Sequence, residues 1–326
     1  MDISYKTIIL LTILIAHALT SIAAKQSAQQ SQSLVSPKNA ERVLLNVTVT
    51  NKAGGFVVGL KPSDFEISID KKPAHIISLS NADSPVSVGI LFDSSGSMAG
   101  RSEKTATKNF AVLQQALRQF LELSNQSNDY FLLGFNIKPQ LLVDWTSDRL
   151  TIVDKFNDLH LYGNTALYDA CYLAVDKLQS GRHAKRALVL ISDGQDNISQ
   201  YSFNELRELL RETDVLLYSI HFPDDADLGS SFGIEGLGVL DELSSLSGGR
   251  AFFTKGVTPL RLKDANTVFE NIATELRNQY TISIVPNDSI VNNKWHKIKV
   301  KVNMPPGAPR QMKDLAVRTR EGFYAH

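Results

Sequence analysis

Two apolar runs constrain this chain more than any other feature: Val86, Val88, Gly89, Ile90, Leu91 and Phe92, and Leu188, Val189, Leu190 and Ile191. Neither alternates with polar residues, so neither suits a strand with one face in water. Both suit a strand covered on two faces, which a parallel sheet between helical layers provides. Further strands are expected at 130–135, 139–144, 215–222 and 250–253. Helix signals fall between them. Ala106, Phe110, Leu113, Leu117 and Phe120 step by four and three, as do Leu262, Ala265, Phe269, Ile272 and Leu276, which is the stripe of an amphipathic helix. Ser202 and Glu205 make a capping box ahead of Phe203, Leu206 and Leu209. The expected fold class is α/β, with a doubly wound, mostly parallel sheet.

Each run ends on oxygen donors. Asp93-Ser94-Ser95-Gly96-Ser97 offers a carboxylate and two hydroxyls at the carboxyl edge of a sheet, where open α/β folds bind ligands. Such hard donors suit Mg²⁺, Mn²⁺ or Ca²⁺ rather than Zn²⁺ or Cu²⁺. The second run ends in Ser192-Asp193-Gly194, and Gly163-Asn164-Thr165-Ala166 sets a threonine hydroxyl just before a helix. Taken singly, each has a plainer reading. Asp-x-Ser-x-Ser is a common turn, Thr165 alone reads as a helix N-cap, Asp169 is structural, and Asp196 and Asn197 complete a solvated loop.

In order and spacing the three segments together resemble the metal-ion-dependent adhesion site (MIDAS) of von Willebrand factor type A (VWA) domains, over roughly residues 85–277. The resemblance implies a Rossmann-like fold and a metal shell of Asp93, Ser95, Ser97, Thr165 and Asp193, with Asp193 acting partly through water. It also implies the use of the ion, most readily Mg²⁺, as a bridge to an Asp or Glu carboxylate on a protein partner. In the adhesion domains of this family the last helix shifts when that carboxylate arrives. Leu262 to Arg277 would pass such a shift directly into Tyr280-Thr281-Ile282; the plainer reading is a static helix packed on the sheet.

The flanks read as β-structure. Val43, Leu45, Val47 and Val49 alternate, then Phe65, Ile67 and Ile69, then Ile76, Ile77 and Leu79 follow a turn at Asp70-Lys71-Lys72-Pro73. Near the other end Tyr280, Ile282 and Ile284 alternate, and Ile298, Val300 and Val302 lie between Lys297, Lys299 and Lys301. Three short strands do not stand alone, so 38–82 and 278–326 are expected to form the halves of a small discontinuous β-sandwich, with the α/β region, 83–277, inserted between them. This outline resembles secreted bacterial VWFA-related domain proteins, and the closing Phe323-Tyr324 matches their aromatic ending.

At the beginning, Lys6, the apolar stretch Ile8 to Ile15, and Ser21, Ala23 and Ala24 read as a secretory signal, residues 1–24, with an uncleaved anchor as the alternative. A Gln/Ser/Ala-rich spacer, 25–37, follows. The chain is therefore expected outside the cytoplasm, secreted or in the periplasm and cell envelope. The 34 basic and 34 acidic residues balance, which argues against nucleic acid and anionic membrane surfaces as partners. Cys171 is the single cysteine, so no internal disulfide is expected, and the seven histidines are scattered, against a zinc hydrolase. The loop from Pro223 to Gly233 carries Asp224, Asp225 and Asp227, either a solvated loop or a second Ca²⁺ site on the metal face. The sequons at Asn46, Asn125, Asn197 and Asn287 arise easily by chance.

Asp93 and Asp193 would roughly neutralise a divalent ion and leave one position open for a partner carboxylate. The expected function is a metal-dependent protein-interaction or adhesion module, not an enzyme. Its rivals are a metal-dependent hydrolase, which lacks a nucleophile elbow and a nearby base, and a structural envelope domain with a vestigial site.

Overall fold

The structure, a computed structural model, describes residues 42–99, 103–221, 231–253, 262–286, 293–303 and 314–325. The signal segment, the spacer and the aspartates Asp224, Asp225 and Asp227 lie outside the described residues. Three strands come first: β1 (Val43–Thr50), β2 (Phe65–Ile69) and β3 (Lys72–Ser80). The central stretch runs β4 (Ser87–Asp93), α1 (Glu103–Leu123), β5 (Asp129–Phe135), β6 (Pro139–Thr146), α2 (Arg149–Phe156), α3 (Leu167–Leu178) and β7 (Arg186–Ser192), then α4 (Phe203–Glu212), β8 (Leu216–His221), α5 (Ser231–Ser247), β9 (Arg250–Phe253) and α6 (Leu262–Asn278). Four strands follow: β10 (Tyr280–Pro286), β11 (Trp295–Val302), β12 (Ala316–Arg318) and β13 (Gly322–Tyr324).

The central strands form a six-stranded sheet, ordered β6-β5-β4-β7-β8-β9. All neighbours in it are parallel except β6, which runs antiparallel to β5. The apolar runs behave as read: β4, β5 and β8 are buried at every position. One face packs on α1, α2 and α6 through Leu117, Phe156 and Phe269, the other on α3, α4 and α5 through Val175, Leu206 and Leu243. The sheet is therefore mixed, and its departure from the parallel pattern has a plain cause. β6 is an edge strand half open to solvent, and a short connection from β5 can only be a hairpin.

The flanking strands correct the expected sandwich of two halves. They interleave in a single antiparallel seven-stranded sheet, β12-β1-β10-β3-β2-β11-β13. β1 takes both its neighbours from the far end of the chain, Val47 opposite Tyr280 and Val49 opposite Val317. A bulge falls in β3 where Ser283 pairs with Ser78 but Ile284 pairs with Ile76. It leaves Ile77 without an opposite residue and half exposed, which is why Ile76, Ile77 and Leu79 do not alternate cleanly. Such a bulge bends the strand, and the sheet curls until β12 lies beside β11. The strands then need no second layer, since Leu45, Ile67, Ile282 and Ile298 fill the concave side.

A further correction concerns the loop expected to run to Gly233: α5 already begins at Ser231. Among the described residues, no helix is long and apolar enough to cross a membrane.

Candidate functional site

The strand order reverses between β4 and β7, with β5 on one side of β4 and β8 beyond β7. At such a switch point the loops leaving adjacent strands diverge and open a crevice. Asp93 closes β4, and Asp193 follows directly on β7.

Asp93 is enclosed, and both its oxygens are engaged. Oδ1 accepts the Ser95 N–H at 2.9 Å, and Oδ2 accepts the Ser192 hydroxyl at 2.7 Å. Ser192 Oγ in turn accepts the Gly194 N–H at 3.0 Å, so one serine ties the end of β4 to the loop after β7. Ser94 bonds Phe135 O through both N–H and hydroxyl, at 2.7 and 2.9 Å, which draws the Asp-x-Ser-x-Ser loop onto the end of β5. Ser95 Oγ and Ser97 Oγ lie 3.0 Å apart. Asp193 Oδ1 accepts the Gln195 N–H at 3.0 Å.

The third segment is stitched to the first by backbone. Gly96 N–H donates to Gly163 O and Tyr162 N–H to Ser94 O, both at 2.9 Å. Gly163, at φ 80°, supplies the left-handed turn that this approach requires. Thr165 is buried and precedes Ala166, the N-cap of α3, so it is not itself the cap. Asp93, Ser95, Thr165 and Asp193 are all buried, and Ser97 is half-buried.

Two carboxylates in so little water repel each other. Burial first, and then the charge of Asp193, push the Asp93 carboxyl up to about 7. Two acidic and three hydroxyl oxygens form a donor set that fits a hard divalent ion, whose charge would offset that repulsion. Among the described residues, no three His, Cys, Asp or Glu side chains converge on one point. Cys171 is buried, and burial raises its thiol far above the ordinary range, which makes it inert.

Several residues have roles that spacing does not reveal. Ser192 closes the strand just after an apolar run and carries no separate signal. Asp196 and Asn197 are not merely solvated: Asn197 bonds Thr165, and Asp196 Oδ2 accepts the Tyr168 N–H at 3.2 Å. Asp169 is structural as expected, its Oδ1 accepting the N–H groups of Gln200 and Tyr201 at 2.9 Å each. Gly194, at φ 83°, and Gly236 of α5 meet backbone to backbone. A Cβ on Gly236 would stand 2.4 Å from Asp193 O.

Ser87, Asp129 and His183 also come together, at the opposite edge of the sheet. Ser87 Oγ donates to Asp129 Oδ1 at 2.7 Å and accepts the His183 N–H at 2.9 Å, while His183 Nε2 lies 2.8 Å from Ser127 O. The Ser87 hydroxyl is thus held between the Asp129 carboxylate and the His183 backbone, and the imidazole Nε2 also lies 3.5 Å from Asp129 Oδ1.

Residues 88–195 match the family model of the von Willebrand factor type A domain. No curated protein matches the chain. Among solved structures, the vWF domain of the type V pili tip protein Mfa5 from Porphyromonas gingivalis is 12% identical, over 59% of this chain and 95% of that one, at a TM-score of 0.46. A von Willebrand factor type A protein from Catenulispora acidiphila is 11% identical, over 87% of this chain and 75% of that one, at 0.45. The PilB minor pilin from Streptococcus sanguinis is 12% identical, over 77% and 91%, also at 0.45.

Proposed function

We propose, starting from the match of residues 88–195 to the von Willebrand factor type A domain model, that this chain is an exported, metal-dependent protein-interaction module. In this reading Asp93, Ser95, Ser97, Thr165 and Asp193 hold a divalent cation, Mg²⁺ first and Mn²⁺ or Ca²⁺ next, and the bound site captures an Asp or Glu carboxylate of a partner protein. The interaction domain extends over 83–277, and residues 1–24 direct export to the envelope or the exterior.

The observation that carries the reading is the Ser192 bridge. It holds Asp93 beside the loop of Asp193 at the switch point of the sheet, with the paired hydroxyls of Ser95 and Ser97 next to them. When bound, the cation supplies an electrophilic position for the incoming carboxylate. The proposed set contains two anionic ligands, so it holds the ion modestly and ion and partner bind cooperatively. Nothing in the wiring of Ser95 and Ser97 prepares either as a nucleophile: each hydroxyl faces the other, and the serine with a histidine and an aspartate beside it lies at the far edge of the sheet.

Calorimetry with Mn²⁺ tests the proposal. Asp93→Ala is expected to abolish binding while the circular dichroism of the fold is retained. Unchanged affinity in that variant would overturn the assignment.

A further inference from the structure

The threonine of the candidate site is held by a residue outside the ligand set. Asn197 lies in the loop leaving β7, on the same strand exit as Asp193. Its Oδ1 accepts the Thr165 N–H at 2.9 Å, and its own N–H donates to Thr165 O at 3.0 Å. One residue thus grips both backbone polar groups of Thr165.

The neighbours of Asn197 extend the grip. The first N–H groups of a helix have no partner within it and are usually satisfied by the N-cap side chain. Ala166, the N-cap of α3, has none to offer. The Tyr168 N–H goes instead to Asp196 Oδ2, and the Asp169 N–H to Ser199 Oγ at 3.1 Å. Ser199 Oγ also donates to Asp196 Oδ2 at 2.5 Å, which fixes the two acceptors together. The start of α3 is therefore capped from the loop that carries Asp193, and the two loops cannot move independently.

On the reading of the site given above, we infer that Asn197 is a positioning residue for ion binding, setting the Thr165 hydroxyl in register with Asp93 and Asp193. Ligands held by such outer partners bind more tightly than ligands left free to rotate, and loss of the partner commonly weakens metal affinity about 10- to 100-fold. Asn197 is itself exposed. Truncating it leaves the Thr165 N–H open to water, so the fold tolerates the change while the register is lost.

The test is Mn²⁺ calorimetry on the full chain, with amide exchange at Thr165 measured in ion-free protein. Asn197→Ala is expected to weaken Mn²⁺ binding about 10- to 100-fold and to speed exchange of the Thr165 N–H. Asn197→Asp keeps an acceptor for that N–H and should restore both. In a Thr165→Ala background, adding Asn197→Ala should change affinity little, because the group it positions is gone. If Asn197→Ala binds as wild type while Asp93→Ala does not bind, the positioning role falls and the site stands. If the two substitutions act additively, the role also falls. If wild type binds no Mn²⁺, or Asp93→Ala binds as wild type, the site reading fails and takes this inference with it.

Discussion

Asp93 holds a negative charge where the surroundings least favour one. Burial foremost, and the neighbouring Asp193, lift its carboxyl from an ordinary value of 3.8 to about 7 in ion-free protein. The folded value lies above the unfolded one, so the folded state carries the extra proton between them, and stability falls as pH rises through that window. Asp93→Asn removes the charge and keeps the shape. Ion-free Asp93→Asn is expected to exceed wild type in stability by roughly 4 kcal/mol near pH 8, with the difference vanishing near pH 4. Urea midpoints of both proteins at the two pH values measure this. A difference that does not depend on pH would show that the carboxylate is not strained. The same electrostatics make ion uptake proton-linked, so affinity should decline in mild acid.

At the scale of elements, α5 is the instructive case. Ser231–Ser247 carries Gly233, Gly236 and Gly238, and each glycine disfavours a helix by up to about 1 kcal/mol relative to alanine, which hides the element in the sequence. The structure separates two of the three. Gly236 is buried against Asp193 O, whereas a Cβ on Gly238 would meet nothing. Gly238→Ala is therefore expected to stabilise the protein by about 0.4–1 kcal/mol, while Gly236→Ala should displace the helix from the Asp193 loop and destabilise. Thermal melts of the two variants check this, and equal shifts of the same sign would refute it. The central strands are legible in sequence because burial on both faces leaves an unbroken apolar run. Asp93, Ser95 and Ser97 are legible because they are nearly contiguous. Ser192 and Asn197 are not, since a hydroxyl at the end of a strand and an amide inside a polar loop carry no period; their roles exist only once β4, β7 and α3 are side by side. The pairing of β1 with β10 is equally silent, because alternation identifies a strand without identifying its neighbour.

The two sheets meet around Glu275 of α6. This buried carboxylate accepts from Tyr218 OH of β8 at 2.8 Å, from Thr48 Oγ1 of β1 at 3.1 Å, and from the Arg318 guanidinium at the end of β12. Gln279 joins the group, its Nε2 donating to Thr48 Oγ1 and Tyr218 OH at 3.1 and 3.0 Å. Removing one member of a buried charge pair leaves the other uncompensated, so Glu275→Ala is expected to cost about 3–5 kcal/mol in urea unfolding. A loss below about 1 kcal/mol would mean that the cluster does not hold the sheets together. The interleaved pairing also has a consequence in time. At roughly 5–20 residues per second of synthesis, β1 leaves the ribosome on the order of 10–50 s before Tyr280, which opens the first strand it pairs with. β2 and β3 can meanwhile close their hairpin and the α/β unit can fold. Among the described residues β1 pairs with no strand made before β10, so a nascent chain arrested before Tyr280 holds Leu45 and Val47 out of that pairing.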